Sequence, residues 1–294
     1  MSCKKAAKQG YLVGMNNEEL ERRKTISFLQ AEGIEPLPRQ LALGELPKGT
    51  RVKLWAVLYD AIKRHSMKSS PIMAETLRRA ALKWWVEEAH QMADEFSRNS
   101  QWIADRWKRF FREDTPYYDP LNLVQFLLRN FDDRALPMLV ARVLEEERAA
   151  YRVVGGRTIM PMASPEEGAA VMQALEVTTN SGIGGARQHL LDAAAHLSSG
   201  KFAESVRESI SAVEAVAFAS TGEKTFAKAI GVMDGRRPMN GAFKIAINRL
   251  YDYTSQEPGI RHAKQQESTA YVSEREALFM LPVCAAFITY VLAE

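Results

Sequence analysis

Apolar residues recur at helical spacing along almost the whole chain, and this constrains the fold more than any other feature of the sequence. A chain whose hydrophobic period is close to 3.6 can bury one stripe per helix but cannot present the alternating faces of a large sheet. Glycines and prolines punctuate the periodic stretches and divide them into helices. In the first half the spacing predicts helices over about 17–31, 50–64, 74–99, 101–112, 121–130 and 136–149. The stretch 34–49, which carries Pro36, Pro38 and Pro47, reads as a loop between the first two.

One place breaks the helical period. Tyr151-Arg152-Val153-Val154 and Arg157-Thr158-Ile159-Met160 flank Gly155-Gly156, which reads as a β-hairpin closed by a two-residue turn whose glycines tolerate positive φ. Ser164-Pro165-Glu166-Glu167 follows, with an N-cap serine, a proline at the first helical position and a glutamate able to close a capping box. That helix is expected to run to about Val177. Residues 178–185, TTNSGIGG, have little to bury and read as a flexible linker. Further helices are expected over 186–197, 202–220, 226–232, 239–253 and 273–293. The expectation is a mainly α protein of two helical domains, 1–150 and 151–294, with the small hairpin at their junction.

Composition narrows the classes of function. The chain has 294 residues, 46% hydrophobic and 26% charged, and its net charge of +3 is too small to point by itself to a nucleic acid or a membrane. The first 150 residues are mildly basic and the remainder is close to neutral. Cys3 and Cys284 are far apart and share no metal-ligand spacing with histidines, which argues against structural zinc and a disulfide framework. The basic start MSCKKAAKQG lacks the apolar run of a signal peptide, so a cytoplasmic location is expected. Residues 277–293 carry no charge and approach the length of a membrane span. Pro282, Thr289 and Tyr290 dilute that run, and Ser273 with Glu276 forms a capping box at its start, so a buried bundle helix is expected.

Several local patterns bear on chemistry. Gly182-Ile183-Gly184-Gly185 precedes a helix but lacks the Lys and Ser/Thr of a phosphate loop, and reads as linker. No GxSxG, HExxH or metal-spaced cluster is present. The segment WIADRWKRFFR interleaves aromatics with Arg106, Lys108, Arg109 and Arg112, the ingredients of a surface that stacks bases and holds phosphates. Its Ile103, Trp107 and Phe110 lie on one stripe, so an amphipathic helix with a solvated basic face is the simpler reading. Trp84-Trp85 reads as core. On the helix 202–220, Arg207, Ser211 and Glu214 share a polar stripe, either a site facing a bundle interior or an exposed face with an internal Arg–Glu attraction. Arg261-His262 joins an anion-binding side chain to one that titrates near neutrality, a pairing suited to phosphodiester chemistry or simply to solvent.

The runs YRVVGGRTIMP, SISAVEA, LYDYTS, GIRHA and MLPVCAAFITYVL, in this order, resemble the C-terminal HEPN-like domain of AbiJ-type abortive-infection proteins. Upstream, FLQAEGIEPLPRQLALGELPKGTRVKLWAVLY resembles the N-terminal domain that accompanies it. The resemblance implies a HEPN-like helical bundle, commonly a homodimer, whose active members cleave RNA in phage defence without metal or cofactor. It points to His262, in the GIRH motif, with Arg261 as catalytic residues; the polar stripe adds Glu214, Arg207 and Ser211 as expected support for them or the RNA, and the basic aromatic segment adds Arg106, Lys108, Arg109 and Arg112 as an expected N-terminal RNA contact. The Arg-to-His spacing of the family's ribonuclease motif is absent, because no histidine has an arginine five to seven residues upstream. Two expectations therefore stand side by side. One is a metal-independent ribonuclease effector acting on RNA; the other is a non-catalytic RNA-binding or interaction module with a phage or defence-system protein partner. Neither involves a membrane.

Overall fold

Helices form where the apolar period runs, and in the computed structural model they are described for residues 28–31, 34, 39–67, 70–256 and 272–293, with the loops between them. By contact density the chain divides into Met1–Arg39 and Gln40–Glu294. In the first unit Phe28–Ala31 form a helical turn, and the rest of the helix expected over 17–31 lies outside the described residues.

The second unit begins with α1 (Lys48–Arg64), α2 (Glu75–Glu87) and α3 (Ser100–Trp107), the last tightening into a 3₁₀ turn at Lys108–Phe111. Next come α4 (Tyr118–Asn130) and α5 (Leu136–Glu146), followed by the antiparallel strands β1 (Tyr151–Val154) and β2 (Thr158–Pro161). The chain continues through α6 (Pro165–Asn180), α7 (Gly184–Ser198), α8 (Phe202–Thr221), α9 (Phe226–Arg236), α10 (Gly241–Gln256) and α11 (Glu274–Leu292). The protein is predominantly helical with one small hairpin.

Buried side chains form two cores. The N-terminal core gathers Leu54, Leu58, Leu77, Trp84, Trp85, Ile103, Trp107, Leu127 and Leu144, and the C-terminal core gathers Leu190, Val206, Ile210, Val213, Ile230, Leu281 and Ile288. The hairpin is their shared wall. Strand residues alternate between faces, so Val153 and its partner Ile159 join the N-terminal core while Val154 and Met160 join the C-terminal one. In the C-terminal core α7 and α8 pack closely because small residues meet there: Ala186, Ala193 and Ala194 face Ser205, Ser209 and Ala212, and Ser205 Oγ donates to the Ala193 carbonyl at 2.9 Å. Helix α11 is the one described helix long and apolar enough to span a bilayer. It buries Ala277, Leu281, Ala285 and Ile288, one face at helical spacing, and packs on α6 and α8 as a bundle helix.

Four sequence expectations are corrected. The hairpin turn holds three residues rather than two, because Val154 pairs with Thr158 and leaves Gly155, Gly156 and Arg157 outside the ladder. That one-residue shift decides which side chains of β2 meet which core. The flexible linker over 178–185 shrinks to Ser181–Ile183. Thr178 is fully buried, its hydroxyl donates to the Ala174 carbonyl at 2.7 Å, and α6 continues through it, while Gly184 and Gly185 already belong to α7. The helix expected over 74–99 stops at Glu87, and His90 takes φ 53°, which turns the chain so that Trp85 Nε1 donates to the Met92 carbonyl at 2.8 Å. The helix expected to reach residue 149 ends at Glu146, with Arg148 at φ 50° turning the chain into β1.

Candidate functional site

Two groups of polar side chains stand out, one on each core. The first is built on α1, where Val52, Trp55, Tyr59 and Lys63 follow one another along a single helical stripe. Trp55 stacks on Tyr59, with ring centroids 5.8 Å apart and planes at 29°. It also meets Phe111 at 5.5 Å. Lys63 Nζ lies 4.6 Å from the centroid of the Tyr59 ring. Across from this aromatic row the 3₁₀ turn after α3 presents Lys108, Arg109 and Arg112, and together with Val52, Trp55, Asp105 and Phe111 they line a cleft of about 380 Å³.

The cations here are unspent. Asp60 is paired with Arg64, Glu113 with Lys48 at 3.3 Å, Glu147 with Lys53, and Asp105 accepts from Gln101 at 2.8 Å. Among the described residues the side chains of Lys108, Arg109 and Arg112 have no partner and are exposed. A row of rings beside free cations can stack planar groups and hold phosphates at the same time. Arg106 does not join them. Its guanidinium lies 3.6 Å from the Trp102 ring centroid and donates to the Trp102 carbonyl at 3.3 Å, so the structure places it in an aromatic stack with Trp85 and Trp102.

What fixes the basic turn is Arg51, which is only 5% exposed. Its Nε donates to the Leu46 carbonyl at 2.7 Å and its Nη1 to the Arg112 carbonyl at 2.7 Å. Nη1 also reaches Thr115 Oγ1 at 2.8 Å, and Nη2 reaches the Thr115 carbonyl at 2.9 Å. Thr115 Oγ1 in turn donates to the Phe110 carbonyl at 2.8 Å, so one buried guanidinium braces both ends of the turn that carries the three cations.

The second group lies on α7, α8 and α10. Of the stripe foreseen on α8, Glu214 accepts from the Tyr251 hydroxyl at 2.8 Å, and Phe226 stacks on Tyr251 with centroids 4.4 Å apart. Ser211 donates to the Arg207 carbonyl of its own helix at 3.0 Å. Arg207 Nε lies 3.6 Å from Glu208 Oε1, and the other oxygen of Glu208 lies 2.7 Å from His189 Nδ1. Glu208 thus ties an arginine and a histidine into one half-exposed cluster, with His189 Nε2 left without a partner among the described residues. Neither His189 nor Glu208 was foreseen. A signal existed, because both lie about equally far from the short turn at Ser199, and antiparallel helices joined there bring such positions together. Arg261 and His262 lie outside the described residues.

Two titrating groups are shifted by their surroundings. Burial alone would raise the Asp133 carboxyl, but Arg64 Nη2 at 2.8 Å and the backbone N–H groups of Ala135 and Leu136 outweigh it and hold the carboxyl below its ordinary value. Cys284 is pushed up to about 12 by burial. Among the described residues no three His, Cys, Asp or Glu side chains are grouped as a metal site would need.

Residues 27–177 match a family model described as AbiJ N-terminal domain 4, a stretch that runs through the N-terminal core and the hairpin into α6. No curated protein and no solved structure matches the chain.

Proposed function

Because this chain belongs to the AbiJ N-terminal domain 4 family, we propose that it is a cytoplasmic abortive-infection effector of phage defence that acts on RNA. Family membership fits the defence role. The observation that carries the RNA reading is the cleft between α1 and the basic turn, where Trp55, backed by Tyr59, lies beside the partnerless Lys108, Arg109 and Arg112. Stacking on Trp55 and phosphate contacts to the three cations suit a single strand, whose bases are free to unstack.

The helical bundle after the hairpin, read as HEPN-like and as homodimeric, supplies the chemistry. Histidine removes the proton of a ribose 2′-hydroxyl and the oxygen attacks the adjacent phosphorus. The bond from phosphorus to the 5′-oxygen breaks, and a second histidine, from the other subunit, protonates the leaving oxygen. The products are a 2′,3′-cyclic phosphate and a 5′-hydroxyl. Arginine stabilises the charge that develops on the phosphoryl oxygens. Two His/Arg pairs are candidates: Arg261 with His262, supported by Glu214, Arg207 and Ser211, and Arg207 with His189, whose ring is oriented by Glu208.

Incubation of the purified protein with cellular RNA in EDTA tests this. Expected are fragments with cyclic-phosphate ends that disappear in His262→Ala and Arg261→Ala, or in His189→Ala and Arg207→Ala, whichever pair is catalytic. Fluorescence anisotropy with labelled single-stranded RNA gives the binding arm, and Lys108→Glu, Arg109→Glu and Arg112→Glu are expected to weaken it. Binding without cleavage under every condition favours the second reading, a non-catalytic module that binds RNA. Absence of both binding and cleavage refutes an RNA-directed function.

A further inference from the structure

Where the two cores share the hairpin, a cleft of about 430 Å³ opens, a size that suits a whole small molecule. Its walls come from both sides: Tyr117 and Tyr118 at the start of α4, Tyr151 on β1, Phe202 at the start of α8, and Glu274 at the start of α11. Tyr151 is buried, whereas Tyr117 and Tyr118 are 37% and 57% exposed and expose ring surface to the cleft mouth. Tyr117 stands edge-on to Tyr118 at 5.4 Å and stacks beside Tyr151 at 6.3 Å, so three phenol rings line one region at different orientations.

One full charge lines the cleft among the described residues: Glu274 is the only formally charged one in the lining. Burial pushes the Tyr151 hydroxyl up to about 12, with smaller contributions from Tyr117 and, last, from the Glu274 charge. The Tyr151 oxygen already accepts from the Gly44 N–H at 3.0 Å. The Gln125 amide oxygen already accepts from the Ile159 N–H at 2.7 Å. The starts of α4, α8 and α11 and the end of α7 meet the cleft, and Glu274, in the first turn of α11, sets a full negative charge against the partial positive charge of those starts. An anion placed there would face a carboxylate and the negative faces of aromatic rings. A cation would find both favourable.

We propose that this cleft binds a small organic ammonium cation, its charge against the ring faces of Tyr117 and Tyr118 and beside the Glu274 carboxylate. The alkyl portion covers Leu121 and Phe202, and the ligand touches residues of both cores at once. Occupancy therefore stabilises the packing of the two cores across the hairpin, by the ordinary linkage of binding to folding. The site is separate from the basic cleft on α1 and does not depend on the RNA reading.

The test is a ligand-observed NMR titration of the full chain with choline, with spermidine, and with 3,3-dimethylbutan-1-ol, the uncharged carbon isostere of choline. At least one of the two cations is expected to bind, and the neutral alcohol to bind at least about 10-fold more weakly than choline if choline is the one bound. Tyr118→Ala and Glu274→Gln are each expected to weaken the cation about 3- to 30-fold, while Tyr118→Phe, which keeps the ring face, retains binding. Tyr118 is exposed, and Glu274→Gln leaves the Ser273–Glu276 capping box in place, so both variants should melt like the parent protein. Failure of both cations to bind, equal binding of choline and its isostere, or cation binding indifferent to Tyr118→Ala and Glu274→Gln overturns the proposal.

Discussion

Replacing Arg51 by alanine is expected to remove about 3–5 kcal/mol of stability, the range for breaking up a buried, hydrogen-bonded charge. The figure follows from what the guanidinium does. It makes four hydrogen bonds while only 5% exposed, and three of its acceptors are backbone carbonyls in two separate loops. A charged hydrogen bond is worth roughly 1.5–3 kcal/mol, and part of the sum returns when water enters the vacated space. For a chain of this size the loss corresponds to a fall of roughly 5–8 °C in melting temperature, read by far-UV circular dichroism. Arg51→Lys keeps the charge but cannot fork toward Leu46, Arg112 and Thr115 together, so it should recover about half of the loss. The same bonds hold the Lys108–Phe111 turn, so hydrogen exchange across residues 108–115 should speed up in both variants well below their melting temperatures. A stability loss under about 1 kcal/mol for Arg51→Ala, or unchanged exchange in that turn, would show that the brace has been misread.

Three further outcomes follow from the same structure. If Lys108, Arg109 and Arg112 each neutralise a phosphate, every charge-removing substitution among them should lower the salt slope of single-stranded RNA binding by about 0.7, and a slope unchanged in the triple variant would rule out phosphate contact there. Asp133 has a folded-state pKa held below its unfolded value, so its contribution is fully present above the ordinary carboxylate range and disappears as the pH falls through the folded value. Urea midpoints measured at about pH 6 and about pH 3 should therefore fall further apart in the parent protein than in Asp133→Asn, and equal falls would contradict this. The buried Cys284 thiol should resist alkylation in the native protein and react once urea unfolds it, as judged by mass spectrometry of its peptide; rapid native labelling would mean that the C-terminal core opens there.

Helix identity was legible in the sequence wherever one stripe of side chains carried the burial. In α8 the spacing of Val206, Ile210, Val213 and Ala217 marks the buried face directly, and all four are buried. Element ends were less legible, because they depend on partners remote in sequence. Thr178 looks like linker until its hydroxyl is seen to close on the α6 backbone in a buried setting, and the 74–99 stretch looks like one helix until the Trp85 indole is seen to reach the Met92 carbonyl. The same limit applied to the sites. Lys108, Arg109 and Arg112 could be named from one short segment, but their separation from Arg106 depends on Trp102 and Trp85, and the brace by Arg51 spans more than sixty residues. His189 and Glu208 are neighbours only because α7 and α8 fold back on each other.

The hairpin shows why such a small sheet persists in a helical protein. Two strands of four residues are marginal alone. Here Val153 and Ile159 are covered by one core and Val154 and Met160 by the other, so both faces are buried and each core lacks a wall without it. The three-residue turn makes that division possible, since a turn one residue shorter would move Ile159 and Met160 to the opposite cores. Gly155 permits the turn: it takes φ 58°, and a Cβ there would come within 2.8 Å of Leu191 on α7. The turn therefore lies against the Leu191 side chain at the point where β1 must reverse. The cleft lined by Tyr117, Tyr118, Tyr151 and Glu274 opens beside this shared wall, where a ligand can contact both cores without passing through either.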